Sequence, residues 1–366
     1  MTPTTAPATA RPDLWHTLRH LFTHLLTPLL MCLGMALAYQ GAFHQPTPHH
    51  LKVAVVGRSP QALALAQGIQ AKAGPALEVS TLPSQAAAEQ QLRDRALVGA
   101  FLPDAKDPRL LVASANSDTS ATAAEQVFRQ VAAVREAPLQ VTDLVPTAPG
   151  DPTGQGLFFL LVALSIGSYG SVAVIGTAGA ALSLRLRAAV GVGTALVVSV
   201  IGVVTAGPVF HVVDHDYAGL WALAWLYSAG IVLVGIGLHS FLKRWTTLAL
   251  MVLFVMLNFT SSGGIFRPEL QPGLFGALHG FWNGAGFVEG ARDLLYFGGG
   301  AGLGGRVLTL ALWLAAGLLM LLGAGRYERR QRAAMAPSAV APSAVASSAV
   351  ASSADIVEEE EEAVGV

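Results

Sequence analysis

Charged residues are scarce in this 366-residue chain: they make up 12% of the sequence, whereas hydrophobic residues make up 53%. Soluble domains typically carry about 25% charged residues. Six stretches contain no Asp, Glu, Lys or Arg, namely 20–51, 152–184, 188–213, 217–242, 245–266 and 307–325. Each holds about the 20 residues that cross a bilayer as a helix. The composition excludes an ordinary soluble protein and predicts a polytopic α-helical membrane protein with six transmembrane helices.

Catalytic and nucleotide-binding motifs are also missing. The single cysteine, Cys32, excludes an intramolecular disulfide and a cysteine-based metal site. The chain has no Gly-x-x-x-x-Gly-Lys-Ser/Thr loop, no His-Glu-x-x-His and no Gly-x-Ser-x-Gly. No carboxylate, Lys or Arg lies in the middle of a predicted span, which disfavours a proton or ion relay through the spans. We therefore expect no enzyme activity, no cofactor, no metal and, given a net charge of −1 without a basic stripe, no nucleic-acid partner.

The few basic residues predict the orientation, because cytoplasmic loops carry an excess of Lys and Arg. They flank the first span, lie in the turns after the second and fourth spans, and follow the sixth: Arg11, Arg19, Arg185, Arg187, Lys243, Arg244, Arg326, Arg329, Arg330 and Arg332. The short turn after the third span has Asp214 and Asp216 but no base. This pattern predicts a multi-pass plasma-membrane protein with cytoplasmic N- and C-termini.

The predicted organisation follows from these spans. In chain order it comprises a cytoplasmic N-terminus (1–20), TM1 (21–43), an extracytoplasmic α/β domain (44–150), TM2 (156–184), TM3 (188–211), TM4 (218–242), TM5 (245–263), an outer segment (264–305), TM6 (306–325) and a disordered cytoplasmic tail (333–366). A short amphipathic helix is predicted over 12–23, at the end of the N-terminus. Ala36-Leu37-Ala38 also resembles the cleavage site of a signal peptide. The full spanning length of the first run favours a retained helix.

Strand and helix patterns alternate in the extracytoplasmic domain. Apolar strands are predicted at VAVVG (53–57), LEVSTL (77–82), LVGAFLP (97–103) and LLVASA (110–115). Helices are predicted over 59–73, from Ser84 and after Asp118. This order predicts a small α/β layer structure inserted between helices 1 and 2. Gly57 follows the first strand without a Gly-rich loop, so the turn is not a nucleotide-binding motif.

The outer segment 264–305 is too apolar for a solvated loop, since it contains many glycines and, among its aromatic residues, Phe275, Phe281, Trp282, Phe287, Tyr296 and Phe297. One interpretation is a pair of short helices that re-enter the outer leaflet, where protein covers their backbone. The other is an aromatic belt that lies flat at the membrane interface.

Four stretches, in this order, resemble the permeases of type-2 ABC exporters. The resemblance is closest to the actinobacterial branch related to the phage-infection-protein and nitrosoguanidine-resistance families, and it covers about residues 15–327. The stretches are LVGAFLP; LLVASANSDTSATAAEQVF; DLVPTAPGDPTGQGLFFLL, with Asp143, Pro146, Pro149, Asp151 and Gly154; and GFWNGAGFVEGARDLLYFGGG, with Gly286, Arg292, Tyr296 and Phe297. The resemblance implies a dimeric membrane subunit that passes hydrophobic or amphiphilic compounds outward, driven by a separate cytoplasmic ATPase.

For such an exporter we expect three groups of site residues. The substrate-facing group consists of Phe281, Trp282, Phe287, Tyr296 and Phe297. The ATPase-facing turn contains Arg185 and Arg187, and the joint between domain and membrane contains Asp151 and Gly154. Asp151 is equally explained as a residue that stops a helix. The turn between the second and third spans offers little more than LSLRLR, where these exporters carry a coupling helix. This departure favours the alternative of an ATP-independent envelope scaffold or receptor that acts through its extracytoplasmic domain.

Overall fold

The computed structural model describes residues 14–104, 106–134 and 137–335. Contacts divide the chain into one unit that ends at Ala324 and a second that begins at Gly325. The first unit contains an α/β domain and a helical bundle, and the described part of the second is helical. The predicted disordered tail lies outside the described residues from position 336 onward.

The α/β domain contains five strands and three helices in the described residues. In chain order these are β1 (Leu51–Val56), α2 (Pro60–Ala73), β2 (Leu77–Leu82), α3 (Gln85–Arg93), β3 (Gly99–Leu102), β4 (Arg109–Val112), α4 (Asp118–Ala133) and β5 (Gln140–Asp143), and they follow helix α1 (Leu14–Phe43). The sheet order is β2-β1-β3-β4-β5. Only the β3–β4 pair is antiparallel within this sheet.

Alternation along the strands supplies a core on each face of the sheet. Val53 and Val55 of β1 pack with α2 and α4 on one face, whereas Ala54 packs with α3 on the other. Phe101 and Phe128 are fully buried and stack with ring centroids 4.9 Å apart. This is the predicted α/β layer structure, with a hydrophobic core of its own.

The predicted strands and helices of this domain are confirmed to within a few residues. Ser59, Ser84 and Ser117 each accept a hydrogen bond from the backbone of the helix that follows, which explains where the three helices begin. Strand β5 was not predicted. All four of its residues are exposed at the sheet edge, so it lacks the apolar alternation that identifies a half-buried strand.

The remaining helices form the bundle. They are α5 (Gly156–Thr177), α6 (Leu184–Val204), α7 (Tyr217–Leu242), α8 (Thr246–Met251), α9 (Leu257–Ser261), α10 (Gly273–His279), α11 (Asn283–Tyr296) and α12 (Ala301–Met335). Five helical stretches of the described chain are long and apolar enough to cross a membrane: Leu21–Phe43, Gly156–Thr177, Leu184–Val209, Tyr217–Ser261 and Gly302–Met335. The chain is mostly helical, in agreement with the predicted multi-pass helical membrane protein.

The fourth of these stretches is a helical hairpin. In a continuous α-helix, Tyr227 and Asn258 would lie about 46 Å apart, given a rise of about 1.5 Å per residue. Instead, the Asn258 side-chain amide donates a hydrogen bond of 2.6 Å to the Tyr227 hydroxyl. The reversal occurs at Lys243, whose φ of 49° ends α7. Tyr217–Ser261 therefore contains two helical arms that run antiparallel.

Several predicted boundaries differ from the observed helices. Helix α5 ends at Thr177 rather than at 184, and α12 spans Ala301–Met335 rather than 306–325. The amphipathic helix predicted over 12–23 is not a separate element from Leu14 onward, because α1 runs without a break into the first candidate span. The predicted turn with Arg185 and Arg187 is instead the first turn of α6. The Ser183 hydroxyl accepts a hydrogen bond from the Leu186 backbone N–H, so α6 begins four residues before the predicted span.

The outer segment contains the two short helices α10 and α11. Helix α11 packs against α5, α7 and α9. All of its residues except the last few are buried, including Phe287 and Val288 at 0% exposure. Burial on this scale distinguishes α11 from a helix that lies on a surface.

Candidate functional site

The α/β domain and α11 meet at a cluster of buried charged residues, which we call the joint network. It consists of Arg95 and Asn116 from the domain and of Arg267, Glu269, Glu289, Arg292 and Asp293 from the outer segment. The centre is Glu289, whose side chain is 0% exposed. Fully buried charges are costly unless they are paired, so their presence here requires an explanation.

Arg95 is the domain's main contact in the network. It follows α3 in a left-handed backbone conformation (φ 59°). The guanidinium forms salt bridges with Glu289 and Asp293 and donates from Nε to the Asn116 side-chain oxygen Oδ1 at 2.7 Å. Its Cζ also lies 5.2 Å from the ring centroid of Phe297. Residues almost 200 positions apart in sequence are thereby held together.

Two further arginines complete the surroundings of Glu289. Arg292, one turn along α11, donates to Glu289 Oε1 at 3.0 Å and to the Gly263 carbonyl at 2.8 Å. Arg267 donates to Asn116, and its Nη1 lies 4.0 Å from Glu289 Oε2. Its Nε lies 3.4 Å from Glu269. Each guanidinium is thus shared between a carboxylate and a neutral acceptor.

The charges of the joint network balance. Three guanidinium groups face three carboxylates: Arg95, Arg267 and Arg292 against Glu269, Glu289 and Asp293. Burial alone would raise the pKa of Glu289, but the three guanidinium groups outweigh it and lower the pKa well below its usual value of 4.5. Glu289 is therefore ionised at neutral pH. The arrangement is suited to holding two parts of the chain together rather than to passing protons.

The same junction contains neutral contacts. The Thr119 hydroxyl donates to the Ile265 carbonyl at 2.9 Å, and the Ser120 hydroxyl donates to Glu269 at 3.2 Å. A Cβ placed on Gly150 would lie 2.1 Å from the His211 carbonyl oxygen, so the chain that leaves the domain passes directly over the turn before α7. The domain is attached to the bundle along several segments.

A solvent-open cleft of about 600 Å³ borders the joint network on the domain side. Its polar lining includes His49, His50, Lys52 and Gln271 together with Arg95. The lining is mainly basic but includes the Glu269 carboxylate, and its two arginines, Arg95 and Arg267, are already engaged with carboxylates. Among the described residues, no group of three or more His, Cys, Asp or Glu side chains converges in a way that could hold a metal ion.

Acid should weaken the joint network through Glu289. Because its folded-state pKa lies below the unfolded value, Glu289 stabilises the fold fully above about pH 4.3, and this contribution is lost as the pH falls through the folded-state pKa. We expect the unfolding free energy of the detergent-solubilised protein to fall more steeply below that pH than it does in Glu289→Gln. Denaturation at a series of pH values measures both slopes; equal slopes would contradict the assignment.

A second buried polar group lies inside the bundle. The side-chain amide of Asn258 in α9 donates to the Tyr227 hydroxyl of α7, and its side-chain oxygen Oδ1 accepts from the Gly284 backbone N–H of α11 at 2.6 Å. The Tyr227 hydroxyl also contacts Ser165 of α5. One amide side chain thus links α7, α9 and α11 where each is fully buried, and it fixes how deep α11 enters the bundle.

The predicted substrate-facing aromatic residues do not share one surface. Phe281 is 55% exposed and adjoins the buried Trp282. Phe287 is fully buried against Tyr227. The Tyr296 hydroxyl accepts from the Ala148 backbone N–H at 3.4 Å, while Phe297 contacts Arg95, so both belong to the junction with the domain. Only Phe281 is openly available for contact, and the substrate role of the five residues stays a prediction.

The other predicted site residues are also separated from one another. Arg185 is exposed, whereas Arg187 is 8% exposed, so only one of the two can face a partner from this end of α6. Asp151 is buried and accepts hydrogen bonds from the Gln155 and Gly156 backbone N–H groups. Its carboxylate therefore caps the start of α5 rather than stopping a helix. Gly154 has φ 65°, which fits the tight turn that it occupies before α5.

Sequence reasoning missed the joint network apart from Arg292. A signal was present: Glu289, Arg292 and Asp293 are the only charged residues between Glu269 and Arg306. Ionisable residues inside an apolar helical segment are expensive to bury and are usually functional. Comparisons of the chain with protein-family models, with curated proteins and with solved structures each found no match.

Proposed function

We propose that this chain is the membrane subunit of an exporter that moves hydrophobic or amphiphilic compounds outward with a separate cytoplasmic ATPase. The observation that carries the proposal is the burial of α11 between α5, α7 and α9, directly before the last helix. Together with one helix ahead of an α/β domain, this gives the element order implied by the resemblance to type-2 ABC exporter permeases. A short re-entrant α11 is compatible with a membrane location, because protein covers it and the backbone that leads into and out of it.

The proposed topology has six crossings. The two arms of the hairpin Tyr217–Ser261 each count as a crossing, which adds one to the five apolar stretches. With Lys and Arg on the inside, the turns at Arg185 and Lys243 are cytoplasmic, as are both termini. The α/β domain and α11 then lie at the outer face of the plasma membrane.

The joint network gives this exporter a mechanical connection. A domain attached to α11 through Arg95 and Glu289 moves together with the helix that lies inside the bundle. If α5 and α7 moved relative to each other, α11 would therefore transmit the movement to the α/β domain, and no other contact would be needed. The exposed Phe281 lies two residues before α11 and would offer an apolar contact to a passing amphiphile.

Arg185 and Arg187 should differ when each is replaced by alanine. Arg185 is exposed at the proposed ATPase-facing end of α6, so Arg185→Ala should reduce export about fivefold or more, the effect of losing an interface contact worth about 1 kcal/mol. Arg187 is buried, so Arg187→Ala should lower the unfolding free energy instead. Export rate and denaturation midpoint, measured for both variants, separate the two roles. Equal effects on export at equal stability would argue against this assignment.

One feature favours the alternative, an ATP-independent envelope scaffold or receptor. The α/β domain has a largely apolar cleft of about 610 Å³ between α2 and α4, with Leu65, Ile69 and Val131 in its lining. A cleft of this size and character is typical of small-molecule sites. A receptor would use this cleft and would need no contact at the inner turns.

An efflux assay tests the exporter proposal. Cells of the native host, with the chain present or deleted, are loaded with a panel of amphiphilic fluorescent dyes, and the rate of dye loss is followed with and without ATP depletion. The exporter proposal predicts that at least one dye leaves the cells faster when the chain is present. It also predicts that this difference in rate disappears when ATP is depleted. Equal rates across the panel, or an advantage that survives depletion, would contradict it and favour the receptor.

A further inference from the structure

The inner end of the hairpin forms a small basic pocket with α5. It has a volume of about 280 Å³ and lies where α5 ends, α7 ends and α8 begins. We call it the inner basic pocket, and its polar lining consists of Thr177, His239, Lys243, Arg244, Thr246 and Thr247. The Thr246 hydroxyl donates to the Lys243 carbonyl at 2.7 Å and lies 3.2 Å from His239 Nδ1, which holds the turn in shape.

The charged residues that line this pocket, Lys243 and Arg244, are both basic. None of the residues that line it is acidic. The sequence contains no Asp or Glu over 152–213 or over 217–268, so none of the three helices that border the pocket can supply a carboxylate. Arg187, buried in the first turn of α6, is close enough to act electrostatically on His239. Cations and hydroxyl groups without acids form a donor set suited to a phosphate group.

The surroundings place the pocket at the edge of a bilayer. The Arg244 guanidinium lies 5.3 Å from the ring centroid of Trp245, which is 39% exposed. Paired aromatic and basic residues of this kind mark the headgroup level of a membrane. Apolar side chains next to the pocket in sequence are exposed, with Val174 at 63% and Val252 at 37%. These provide surface for acyl chains beside a phosphate.

We infer that the inner basic pocket binds the phosphate headgroup of an anionic phospholipid, whose acyl chains lie along the exposed apolar faces of the neighbouring helices. The pocket is below the range of about 300–1,000 Å³ that is typical for whole drug-sized ligands, which favours a headgroup over a complete small molecule. Basic pockets between membrane helices on the cytoplasmic side are known headgroup sites. This inference requires a membrane location but does not depend on export.

Lipid binding to the full-length protein tests the inference. The protein is purified in detergent, titrated with phosphatidylglycerol or phosphatidylcholine, and bound lipid is counted by native mass spectrometry. Wild type should retain phosphatidylglycerol preferentially. The double variant Lys243→Gln/Arg244→Gln should bind it about 30-fold more weakly, because each cation near the surface contributes about 1 kcal/mol. The charge-preserving variant Lys243→Arg/Arg244→Lys should stay within about threefold of wild type.

Two further variants separate binding in the pocket from a general effect of charge and from a failure to fold. Arg329→Gln/Arg330→Gln removes the same charge from two exposed residues of α12 and should leave phosphatidylglycerol binding unchanged. Thr247→Glu adds a carboxylate to the pocket lining and should weaken binding even if the double glutamine variant does not fold. Unchanged binding in these pocket variants, or an equal loss in the α12 control, would overturn the inference. Displacement of the lipid by millimolar inorganic phosphate would identify free phosphate as the ligand and would also overturn it.

Discussion

Replacing Glu289 with alanine is expected to lower the unfolding free energy of the detergent-solubilised protein by about 3–5 kcal/mol, because removing one partner of a buried ion pair leaves the other charges uncompensated. The substitution would leave Arg95, Arg267 and Arg292 crowded together in a site from which water is largely excluded. Asp293 and Glu269 would still pair with Arg95 and Arg267, but Arg292 would lose its Glu289 partner, and the neutral Gly263 and Asn116 acceptors could not balance the net positive charge. Denaturation of wild type and variant in the same micelles measures the difference.

The α/β domain offers a matched control for this prediction. Glu125 forms an i,i+4 salt bridge with Arg129 on the exposed face of α4. Exposed pairs typically contribute about 0–1 kcal/mol, so Glu125→Ala should change stability by no more than that. A similar small loss for Glu289→Ala would show that the joint network is not what holds the domain to the bundle. The coupling role that we propose for it would then have no support.

Replacing Gly284 with alanine is expected to push α11 out of its position in the bundle. A Cβ at this position would lie 2.5 Å from Asn258 Oδ1 and 3.0 Å from the Asn258 carbonyl oxygen. The backbone oxygen cannot rotate away, so α11 must shift and the hydrogen bond from Gly284 N–H to Asn258 is lost. Overpacking and a broken buried hydrogen bond together should cost roughly 2–4 kcal/mol. Chemical denaturation in detergent measures the loss.

A glycine on the outside of the bundle provides the control, with the opposite sign. Gly193 lies in the exposed middle of α6, and a Cβ there would meet no atom within 4 Å. Alanine has a higher helix propensity than glycine, so Gly193→Ala should stabilise the protein by up to about 1 kcal/mol. If Gly284→Ala were equally harmless, the depth of α11 in the bundle would not be set by Asn258.

The local structure of the α/β domain was predictable because short-range signals determine it. The strand at LEVSTL and the helix that starts after Ser84 match the predicted positions, since strand alternation and serine caps act within a few residues. Strand β5 was not predictable in the same way. It is held by pairing with β4 at the sheet edge, and its own residues are all exposed.

The pairing of residues in the joint network is not predictable from the sequence. Arg95 and Glu289 are 194 residues apart, and no local pattern pairs them. Their contact depends on the left-handed conformation of Arg95 and on the burial of α11, both of which are tertiary features. The isolated charges in α11 indicated that something had to neutralise them, but the partner came from another part of the fold.

The start of α6 shows how a helix boundary changes the expected role of a residue. Arg185 and Arg187 are two positions apart and were treated together as one exposed turn. On a helix, residues two positions apart do not share a face, so the start of α6 at Leu184 separates them into one exposed and one buried side chain. A one-turn shift in a helix boundary therefore changed the expected role of Arg187.

Association with an ATPase tests the central claim most directly. The full-length protein, carrying an affinity tag, is purified from its native membranes in mild detergent, and the proteins that co-purify are identified and quantified by mass spectrometry. The exporter account predicts a cytoplasmic ATPase in stoichiometric amount, reduced by Arg185→Ala in protein of unchanged stability. An intact, folded protein recovered without any ATPase would contradict the account, and the apolar cleft of the α/β domain would become the site to investigate.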